Sequence, residues 1–364
     1  MKVKVGEITK IKTGKLDANA SSADGKYPFF TCSKDPLRIN SYSYDCECVL
    51  VAGNGDLNVK YYNGKFDAYQ RTYIIEDNSN GLLYMPYLYH FLEGYIGELR
   101  KQSIGGVIKY IKLGNLTDVL VELPSIEEQK YIVNLMNISL ELIELRKKTI
   151  DKLDSLVKAR FIEMFGRPFI NNLKWESKQI KNVVNEVKYG TSKPSVENGE
   201  YKYLRMNNLT YDGRFDLTDL KFISLDNDEL EKCVVRKGDV LFNRTNSLDL
   251  IGKTADFDFD EDMVIAGYII RIRLKETIVP KFFSMYMNTD EVKLHLRTIA
   301  KGAVNQANIN AQELQGIPIY IPPIELQKQF ADFVKQVDKS REEVKKALEK
   351  TQQLYDSLMQ EYFG

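Results

Sequence analysis

Apolar residues recur at intervals of three and four along two long stretches, one near the middle of the chain and one at its end. This spacing places side chains on one face of an α-helix and is typical of a coiled-coil seam. The predicted seam comprises Leu135, Leu142, Leu153 and Leu156 in the first stretch, and Phe333, Val337, Val344, Leu354 and Leu358 in the second. Between an opening proline and a closing Phe-Gly, neither stretch contains another proline or glycine. Each stretch therefore predicts one uninterrupted helix.

The two stretches are copies of one another. "LPSIEEQ" opens the first and "IPPIELQ" opens the second, and a constant offset of 198 residues superimposes them. The offset pairs Pro124 with Pro322 and Gln129 with Gln327, and it holds without a gap until "EMFG" lies over "EYFG". A copy without an insertion indicates a structure that tolerates no change in length, as a packed helix does.

The order of the parts predicts the architecture. Outside the seam both helices are charged, so the natural partner of each narrow apolar stripe is the other copy. The first helix delivers the chain to a second globular region, and a second helix that pairs with it must run back. We therefore predict an α+β fold in which two mixed α/β domains are joined by two long antiparallel coiled-coil helices, with internal pseudo-two-fold symmetry. The predicted boundaries are 1–122 and 167–320 for the domains, and 123–166 and 321–364 for the helices.

The two globular regions share a pattern of short strands. Each begins with an amphipathic segment that leads to Lys-x-Gly, in "VGEITKIKTGK" and "IKNVVNEVKYGT". Each continues with an apolar strand that enters a polar turn, and "AYQRTYIIE" and "IAGYIIRIR" follow as further strands. Short β-rich runs interrupted by Gly, Asn and Asp are typical of a compact mixed domain whose loops carry the function.

Side chains suited to base edges are concentrated in the turns of both regions. Arg and Lys match the O6 and N7 acceptors of guanine, and Asn and Gln match N6 and N7 of adenine. The DNA-binding candidates of the first region are Lys34, Arg38, Asn54, Asn58, Lys60, Gln70, Arg71, Lys101 and Lys109. Those of the second are Arg205, Asn207, Asn208, Asn243, Arg244, Thr245, Asn246, Lys253, Lys301, Asn305 and Gln306. Taken singly, such residues also serve to satisfy backbone groups in turns.

Composition limits how such a protein would hold DNA. Fifty-one basic residues balance fifty-one acidic ones, so no global field attracts a polyanion, and local patches or a partner must do so. The four cysteines include no C-x-x-C pair, which favours reduced thiols over a metal site. Without an apolar membrane span or the apolar core of a signal peptide, the sequence predicts a cytoplasmic protein.

Motifs for catalysis are missing. The chain contains no G-x-x-x-x-G-K-[ST] phosphate loop, and "GNGDLN" does not fit the dinucleotide pattern G-x-G-x-x-G. It also lacks the Asn/Asp-Pro-Pro-aromatic tetrapeptide of adenine methyltransferases. Both histidines, His90 and His295, lie on apolar helical stretches and are predicted to pack rather than to catalyse. We therefore predict no catalytic residues, no metal and no cofactor bound by this chain.

The chain closely resembles the specificity subunit of type I restriction-modification systems. The resemblance rests on the paired "LPSIEEQKYIV" and "IPPIELQKQFA", each opening a long helix that ends on aromatic-Gly, and on "KGDVLFNRTNSLDLIGKTA". It covers the whole chain in the family's order of recognition domain, conserved helix, recognition domain and conserved helix.

The resemblance implies a non-catalytic subunit that reads a bipartite duplex DNA sequence, one half per target recognition domain. Its partners would be two adenine-N6 methyltransferase (modification) subunits, which use S-adenosylmethionine, and an optional restriction subunit that uses ATP and Mg²⁺. From the residues alone, two alternatives stay open: a coiled-coil scaffold whose end domains bind proteins, and a single-chain nuclease or methyltransferase. Clustering of Arg, Asn, Gln and Lys in equivalent loops favours the DNA-reading interpretation over the scaffold.

Overall fold

The computed structural model describes residues 1–303 and 306–364, and these form two units. Unit 1 consists of Met1–Lys148 and Val344–Gly364, and unit 2 is Thr149–Glu343. The division between the units falls inside each of the two long helices. No helix among the described residues is both long enough and apolar enough to cross a membrane.

Unit 1 is built on one six-stranded sheet covered by a helix. Its helices are α1 (Val5–Ile8), α2 (Met85–Gln102) and α3 (Gly114–Thr117). Its strands are β1 (Lys2–Lys4), β2 (Thr9–Thr13), β3 (Tyr27–Phe30), β4 (Leu37–Ile39), β5 (Tyr44–Ala52), β6 (Val59–Ala68), β7 (Thr72–Asp77) and β8 (Leu120–Glu122). The sheet order is β2-β7-β5-β6-β3-β4, and β1 pairs with β8 beside it. Val49 and Val51 of β5 and Leu88 and Leu92 of α2 are buried in one core.

Unit 2 contains more and shorter elements. The first long helix, α4 (Ile126–Phe165), leads into it, and its own helices are α5 (Asn227–Cys233), α6 (Pro280–Met287), α7 (Asp290–Ile299) and α8 (Ala311–Gly316). The strands before the 240s are β9 (Glu176–Gln179), β10 (Val184–Tyr189), β11 (Tyr201–Leu204), β12 (Lys221–Ile223) and β13 (Val234–Val235). The later ones are β14 (Val240–Asn243), β15 (Thr245–Asn246), β16 (Thr254–Asp256), β17 (Met263–Ile265), β18 (Ile269–Leu274), β19 (Lys301–Ala303), β20 (Gln306–Asn308) and β21 (Pro318–Ile321). The second long helix, α9 (Ile324–Phe363), follows.

The strand pairing of unit 1 recurs in unit 2. β3 pairs antiparallel with β4 and parallel with β6, just as β11 pairs with β12 and β17. β2 and β5 flank β7, as β10 and β14 flank β18. The counterparts of the continuous strands β5 and β6 are interrupted in unit 2, by a turn at Gly238, which has φ +92, and by residues 257–262. Unit 2 therefore has two four-stranded sheets where unit 1 has one six-stranded sheet. The predicted mixed α/β class with two sheet-rich domains and long helices is confirmed.

The two long helices, Ile126–Phe165 and Ile324–Phe363, lie within the stretches 123–166 and 321–364. Each is 40 residues long and starts two residues after Pro124 or directly after Pro323. α4 ends at Phe165, and Gly166 follows it with φ +79 while its N–H donates to the Ile162 carbonyl at 2.9 Å. A glycine in this left-handed conformation is a common helix C-cap because it has no Cβ to clash.

The stripe of buried and half-buried side chains along each helix differs from the predicted seam by one residue at every second position. In α4 the stripe is Ile132, Met136, Ser139, Ile143, Arg146, Ile150, Leu153, Val157 and Phe161, and in α9 it is Phe330, Val334, Val337, Arg341, Val344, Leu348, Thr351, Tyr355 and Leu358. Of the predicted seam, Leu142, Leu156 and Leu354 are 39%, 47% and 55% exposed. Val337 is buried, and Leu135, Leu153, Phe333, Val344 and Leu358 are half-buried. From a shared starting residue, the observed stripe advances by four residues and then three, whereas the predicted seam advances by three and then four. The observed stripe and the predicted seam therefore have only every second residue in common.

In each unit, the segments of α4 and α9 run antiparallel. In unit 1, Ile132 and Met136 share a core with Leu358 and Met359, and further along Arg146 Nη1 donates to the Ala347 carbonyl at 2.6 Å. In unit 2, the rings of Phe161 and Phe330 lie 5.4 Å apart.

Charged groups on both helix segments also hold a loop of unit 2. Asp154 of α4 accepts from Arg341 Nε of α9 at 3.1 Å. The guanidinium of Arg214, from the loop after β11, contacts the same carboxylate at 2.7 Å and Asp338 at 3.2 Å. The helix segments and the sheet domain of unit 2 are therefore joined by ion pairs as well as by apolar packing.

The glutamine of the repeated opening motif has the same role in both units. Gln129 Oε1 accepts from the Tyr84 N–H at 2.8 Å, and its Nε2 donates to the carbonyls of Leu82 and Pro124 at 2.9 and 3.0 Å. Tyr84 is the N-cap of α2, so this side chain ties the start of α4 to the start of the domain's own helix.

Gln327 repeats this arrangement in unit 2. Its Oε1 accepts from the N–H of Val279, the N-cap of α6, at 2.9 Å. Its Nε2 donates to the carbonyls of Thr277 and Pro322 at 3.1 and 2.8 Å. Both glutamine side chains are fully buried, and a buried amide is stable only when its hydrogen bonds are made. We call each of these the glutamine latch.

Candidate nucleic-acid interface

Four loops of unit 1 are linked by hydrogen bonds, and we call them loop cluster 1: residues 31–36, 53–58, 69–71 and 103–110. The N–H of Gly53 donates to the Arg71 carbonyl at 2.8 Å, and that of Gly55 to the Lys109 carbonyl at 2.9 Å. Asn58 Nδ2 donates to the Cys32 carbonyl at 2.9 Å. Two backbone hydrogen bonds and the Asn58 side chain thus hold the four loops together.

The candidate residues of unit 1 differ in their exposure to solvent and in whether other side chains or backbone groups already bind them. Lys34, Arg38, Gln70, Arg71, Lys101 and Lys109 are exposed, and Asn54, Asn58 and Lys60 are half-buried. The side-chain amide of Asn58 donates to the carbonyls of two loop residues, Cys32 and Asp56. Burial lowers the pKa of Lys60. Lys101 is paired with Glu98 at 2.6 Å, and this hydrogen bond raises the pKa of the lysine. Arg71 and Lys109 are therefore the exposed cations bonded into the centre of the cluster through their backbone.

Unit 2 assembles the corresponding loop cluster 2 from residues 190–195, 205–208, 243–247, 266–268 and 301–308, of which 304 and 305 are not described. Arg244 N–H donates to the Tyr268 carbonyl at 2.9 Å, and Gly267 N–H to the Thr191 carbonyl at 2.8 Å. Strand β15 pairs with β20, which in turn pairs with β19. Lys253 Nζ reaches the Met206 carbonyl at 3.5 Å, which links the 205–208 turn to the others.

Three candidates of unit 2 are buried and are used to support the loops. Asn243 is fully buried and its Nδ2 donates to the carbonyls of Thr245 and Tyr268, both at 3.1 Å. Asn208 is 1% exposed and accepts from the N–H of Arg205, and Thr245 donates to Asn308 Oδ1 at 2.9 Å. These side chains have no free surface for a base edge. Their amide and hydroxyl groups satisfy buried backbone and side-chain partners instead.

The other candidates of unit 2 lie at the surface or partly beneath it. Asn207, Lys301 and Gln306 are exposed, and Arg205, Arg244, Asn246 and Lys253 are half-buried, while Asn305 lies outside the described residues. Arg205 is paired with Asp219 at 2.7 Å and Lys301 with Glu313. Burial lowers the pKa of Lys253.

Arg244 is held in position by an aromatic ring. Its guanidinium lies 4.8 Å from the ring centroid of Tyr189, and the backbone is fixed on both sides, since Ile309 N–H donates to the Arg244 carbonyl at 2.9 Å. Arginine on an aromatic face is stabilised by a cation–π interaction. Arg244 therefore presents an oriented donor fork that is not neutralised by an ion pair among the described residues.

The two loop clusters share one backbone hydrogen bond, and an arginine takes part in it in each unit. Arg71 is its acceptor in unit 1, and Arg244 is its donor in unit 2. In unit 1 the N–H of Gly53 bonds the Arg71 carbonyl, and Ile111 N–H bonds the Gly53 carbonyl at 2.9 Å. In unit 2 Arg244 takes the place of Gly53, and Tyr268 that of Arg71. A Cβ on Gly53 would collide with the Arg71 carbonyl oxygen, so the two arrangements are not interchangeable by one substitution.

Sequence reasoning missed the aromatic part of cluster 2. Tyr189, in the Lys-x-Gly segment, forms the shelf for Arg244, and Tyr268 is 51% exposed beside it. A cleft of about 530 Å³ adjoins them and is lined by residues that include Lys193, Arg205 and Asn207. In the sequence, the adjacent Tyr and Gly of "KYG" and "AGYI" could have indicated that Tyr189 and Tyr268 lie in these loops.

A buried lysine lies behind cluster 2. Lys293 of α7 is 3% exposed, donates to the Gly252 carbonyl and lies 4.9 Å from the ring centroid of Tyr211. Burial, with added repulsion from Lys253 and Arg297, lowers the pKa of Lys293 to about 7. Through its hydrogen bond to Gly252, Lys293 supports the backbone of the turn that precedes Lys253.

Groups that could support catalysis or metal binding are engaged in packing. His90 is 1% exposed, bonds Asn137 at 3.2 Å, and has its pKa lowered by burial, and the ring of His295 lies 5.2 Å from that of Phe169. All four cysteines are free, and burial raises the pKa of Cys233 to about 11. Across residues 1–303 and 306–364, no three His, Cys, Asp or Glu side chains are grouped as a metal would require.

Comparison with known proteins identifies the class. The family model for the type I restriction modification DNA specificity domain matches residues 1–155 and 172–352. The chain belongs to this family, which confirms the resemblance read from its repeated helix openings.

The relatives are themselves specificity subunits. The chain is 43% identical over 156 residues to the EcoDI specificity subunit of Escherichia coli, an alignment that covers 43% of this chain and 34% of that one. It is 23% identical to the MjaVIII specificity subunit of Methanocaldococcus jannaschii, with 97% and 91% covered. The first alignment thus spans only about a third of the EcoDI protein.

Solved structures share the fold. The S subunit of a type I restriction-modification system from M. genitalium has a TM-score of 0.65 at 16% identity, covering 100% of this chain and 96% of that one. A chain from a structure on complex assembly and conformational transition of the type I R-M system has a TM-score of 0.61 at 16% identity, with 100% and 97% covered.

Proposed function

We propose that the chain is the DNA-reading, non-catalytic subunit of a type I restriction-modification complex. Residues 1–122 and 167–320 act as two target recognition domains, and the helices of 123–166 and 321–364 act as spacers. Each loop cluster reads one half of a bipartite duplex sequence. The observation that carries this proposal is the same backbone-bonded loop site in both units, with an arginine at each, Arg71 and Arg244, that forms no ion pair among the described residues.

The balanced charge of the chain and the chemistry of base methylation indicate which partner subunits it needs. With equal numbers of basic and acidic residues it has little long-range attraction for a polyanion, so other subunits supply phosphate contacts. Methylation of a base requires that the base be flipped into a catalytic pocket, which we assign to two adenine methyltransferase subunits using S-adenosylmethionine. An optional ATP- and Mg²⁺-dependent restriction subunit completes the complex, which acts on DNA in the cytoplasm.

A footprint of the assembled complex tests the proposal. The purified chain alone should bind duplex DNA weakly, because its net charge is balanced. Together with its modification subunits it should protect two short base runs separated by a gap whose sequence has no effect. One continuous protected run, or no protection by the complex, would contradict the proposal, and absence of protection would point to a protein-binding scaffold.

A further inference from the structure

An apolar hairpin projects from loop cluster 1, and we call it the finger: Ile104–Tyr110. Val107 is 103% exposed and Ile108 63%, with Ile104 and Tyr110 at 44% and 38%. Four apolar side chains exposed on seven consecutive residues mark an interaction site, because each costs free energy in water.

The base of the finger is fixed. Ile104 and Tyr110 exchange two backbone hydrogen bonds, at 3.0 and 2.9 Å. Below them, Ile111 N–H bonds the Gly53 carbonyl, and Tyr73 Oη donates to the Ile111 carbonyl at 3.1 Å. The finger is therefore anchored at its base to Gly53, whose N–H bonds the Arg71 carbonyl.

The charge around the finger selects a polyanionic partner. Between Glu98 and Asp118 the chain contains no acidic residue. It contains four basic ones: Arg100 and Lys101, which are ion-paired with Asp56 and Glu98, and Lys109 and Lys112, which form no ion pair among the described residues. Apolar side chains with basic flanks fit duplex DNA, whose phosphates attract the cations while the groove presents the base edges.

The shape of the finger selects the groove. The finger consists of two antiparallel chain segments joined by an isolated bridge between Ile104 and Tyr110, which gives its base the width of a two-stranded ribbon. A ribbon of this width enters the major groove, which is about 12 Å wide, whereas the minor groove is only about 6 Å wide. The apolar group that bases present in the major groove is the C5-methyl of thymine. We propose that Val107 and Ile108 read thymine methyl groups in the half-site bound by unit 1, an inference that rests on the proposed function.

The corresponding hairpin of unit 2 has a different chemistry. Strands β19 and β20 pair there, and their described exposed side chains are those of Lys301 and Gln306. Lysine and glutamine hydrogen-bond to bases or phosphates. The two units therefore use equivalent hairpins in different ways: unit 1 by methyl contact and unit 2 by hydrogen bonds.

Deoxyuridine tests this directly, because it lacks only the methyl group of thymine. Thymines of the duplex that contains the recognition sequence are replaced by deoxyuridine one at a time. The Kd of each duplex is then measured for the chain in complex with its modification subunits. One or two replacements in the first half-site should weaken binding about fourfold each, the worth of one buried methyl group. In the Val107→Ser, Ile108→Ser double variant, thymine and deoxyuridine duplexes should bind equally, and Ile108→Val should retain the difference.

Controls separate the possible outcomes. The double variant should show the wild-type Tm, because both side chains are exposed in the folded chain, and should respond normally to deoxyuridine in the second half-site. Sequence-specific binding with no deoxyuridine effect, or a first half-site without any A·T pair, would overturn the inference alone. Failure of the wild-type complex to bind any specific duplex would instead overturn the proposed function.

Discussion

Replacing Arg244 with alanine should relax recognition at one base pair in the half-site bound by unit 2 and leave the other half-site unchanged. A bidentate arginine–guanine contact is worth about 1–3 kcal/mol of discrimination, or roughly 5- to 150-fold. The Tyr189 ring orients the guanidinium, so part of that discrimination depends on Tyr189. Methylation of a randomised-site library by the complex measures the change at each position.

Arg244→Lys is the informative control for this experiment. Lysine keeps the positive charge but cannot form the planar two-donor fork, so affinity should partly recover while discrimination does not. Arg71→Ala and Arg71→Lys provide the matched pair in unit 1 and should act on the first half-site only. Equal loss at both half-sites, or full recovery of discrimination with lysine, would show that Arg244 does not read a base.

Gln327→Ala should loosen the start of α6 without affecting the start of α2, and Gln129→Ala should do the reverse. Each substitution leaves a buried N–H and two carbonyls without their side-chain partner, at a cost of about 2 kcal/mol. Local opening should then become about thirtyfold more frequent. Hydrogen exchange of residues 277–287 and 82–92 measures this for the two units separately.

Two further variants show whether the latch acts through its hydrogen bonds. Gln→Glu has the same shape and can accept from the N-cap N–H, but its carboxylate cannot donate to the two carbonyls, so protection should remain low at neutral pH. Gln329→Ala, at an exposed position two residues beyond Gln327, should change nothing. Unchanged exchange in the alanine variants, or equal loosening of both units by one of them, would contradict the latch.

Helix ends were the most predictable part of the fold. Pro124 and Pro323 precede the two helices, and the Phe-Gly pairs end them, because proline suits a first turn and glycine a left-handed cap. The seam was harder to place. Leu142 and Ile143 are both apolar and adjacent, and only the packing decides that Ile143 is the buried one. A helix turns by about 100° per residue, so an error of one residue moves a side chain from the seam to the flank.

The role of the repeated glutamine could not be predicted. Its identity in both copies was visible, but its partners lie far away in the chain. Gln129 bonds residues 45 and 47 positions earlier, and Gln327 bonds residues 48 and 50 positions earlier. No periodicity connects positions so far apart. The same limit applies to Asn243, which the sequence presents as a polar loop residue and the fold buries completely.

Methylated adenines can be mapped across the genome in cells with and without this gene. We expect one motif of two short defined runs separated by a gap of constant length, methylated only when the gene is present. Arg244→Ala should then widen the motif in one run alone. Methylation that is unchanged by deletion of the gene, or confined to a single uninterrupted motif, would contradict the claim that the two units read two half-sites.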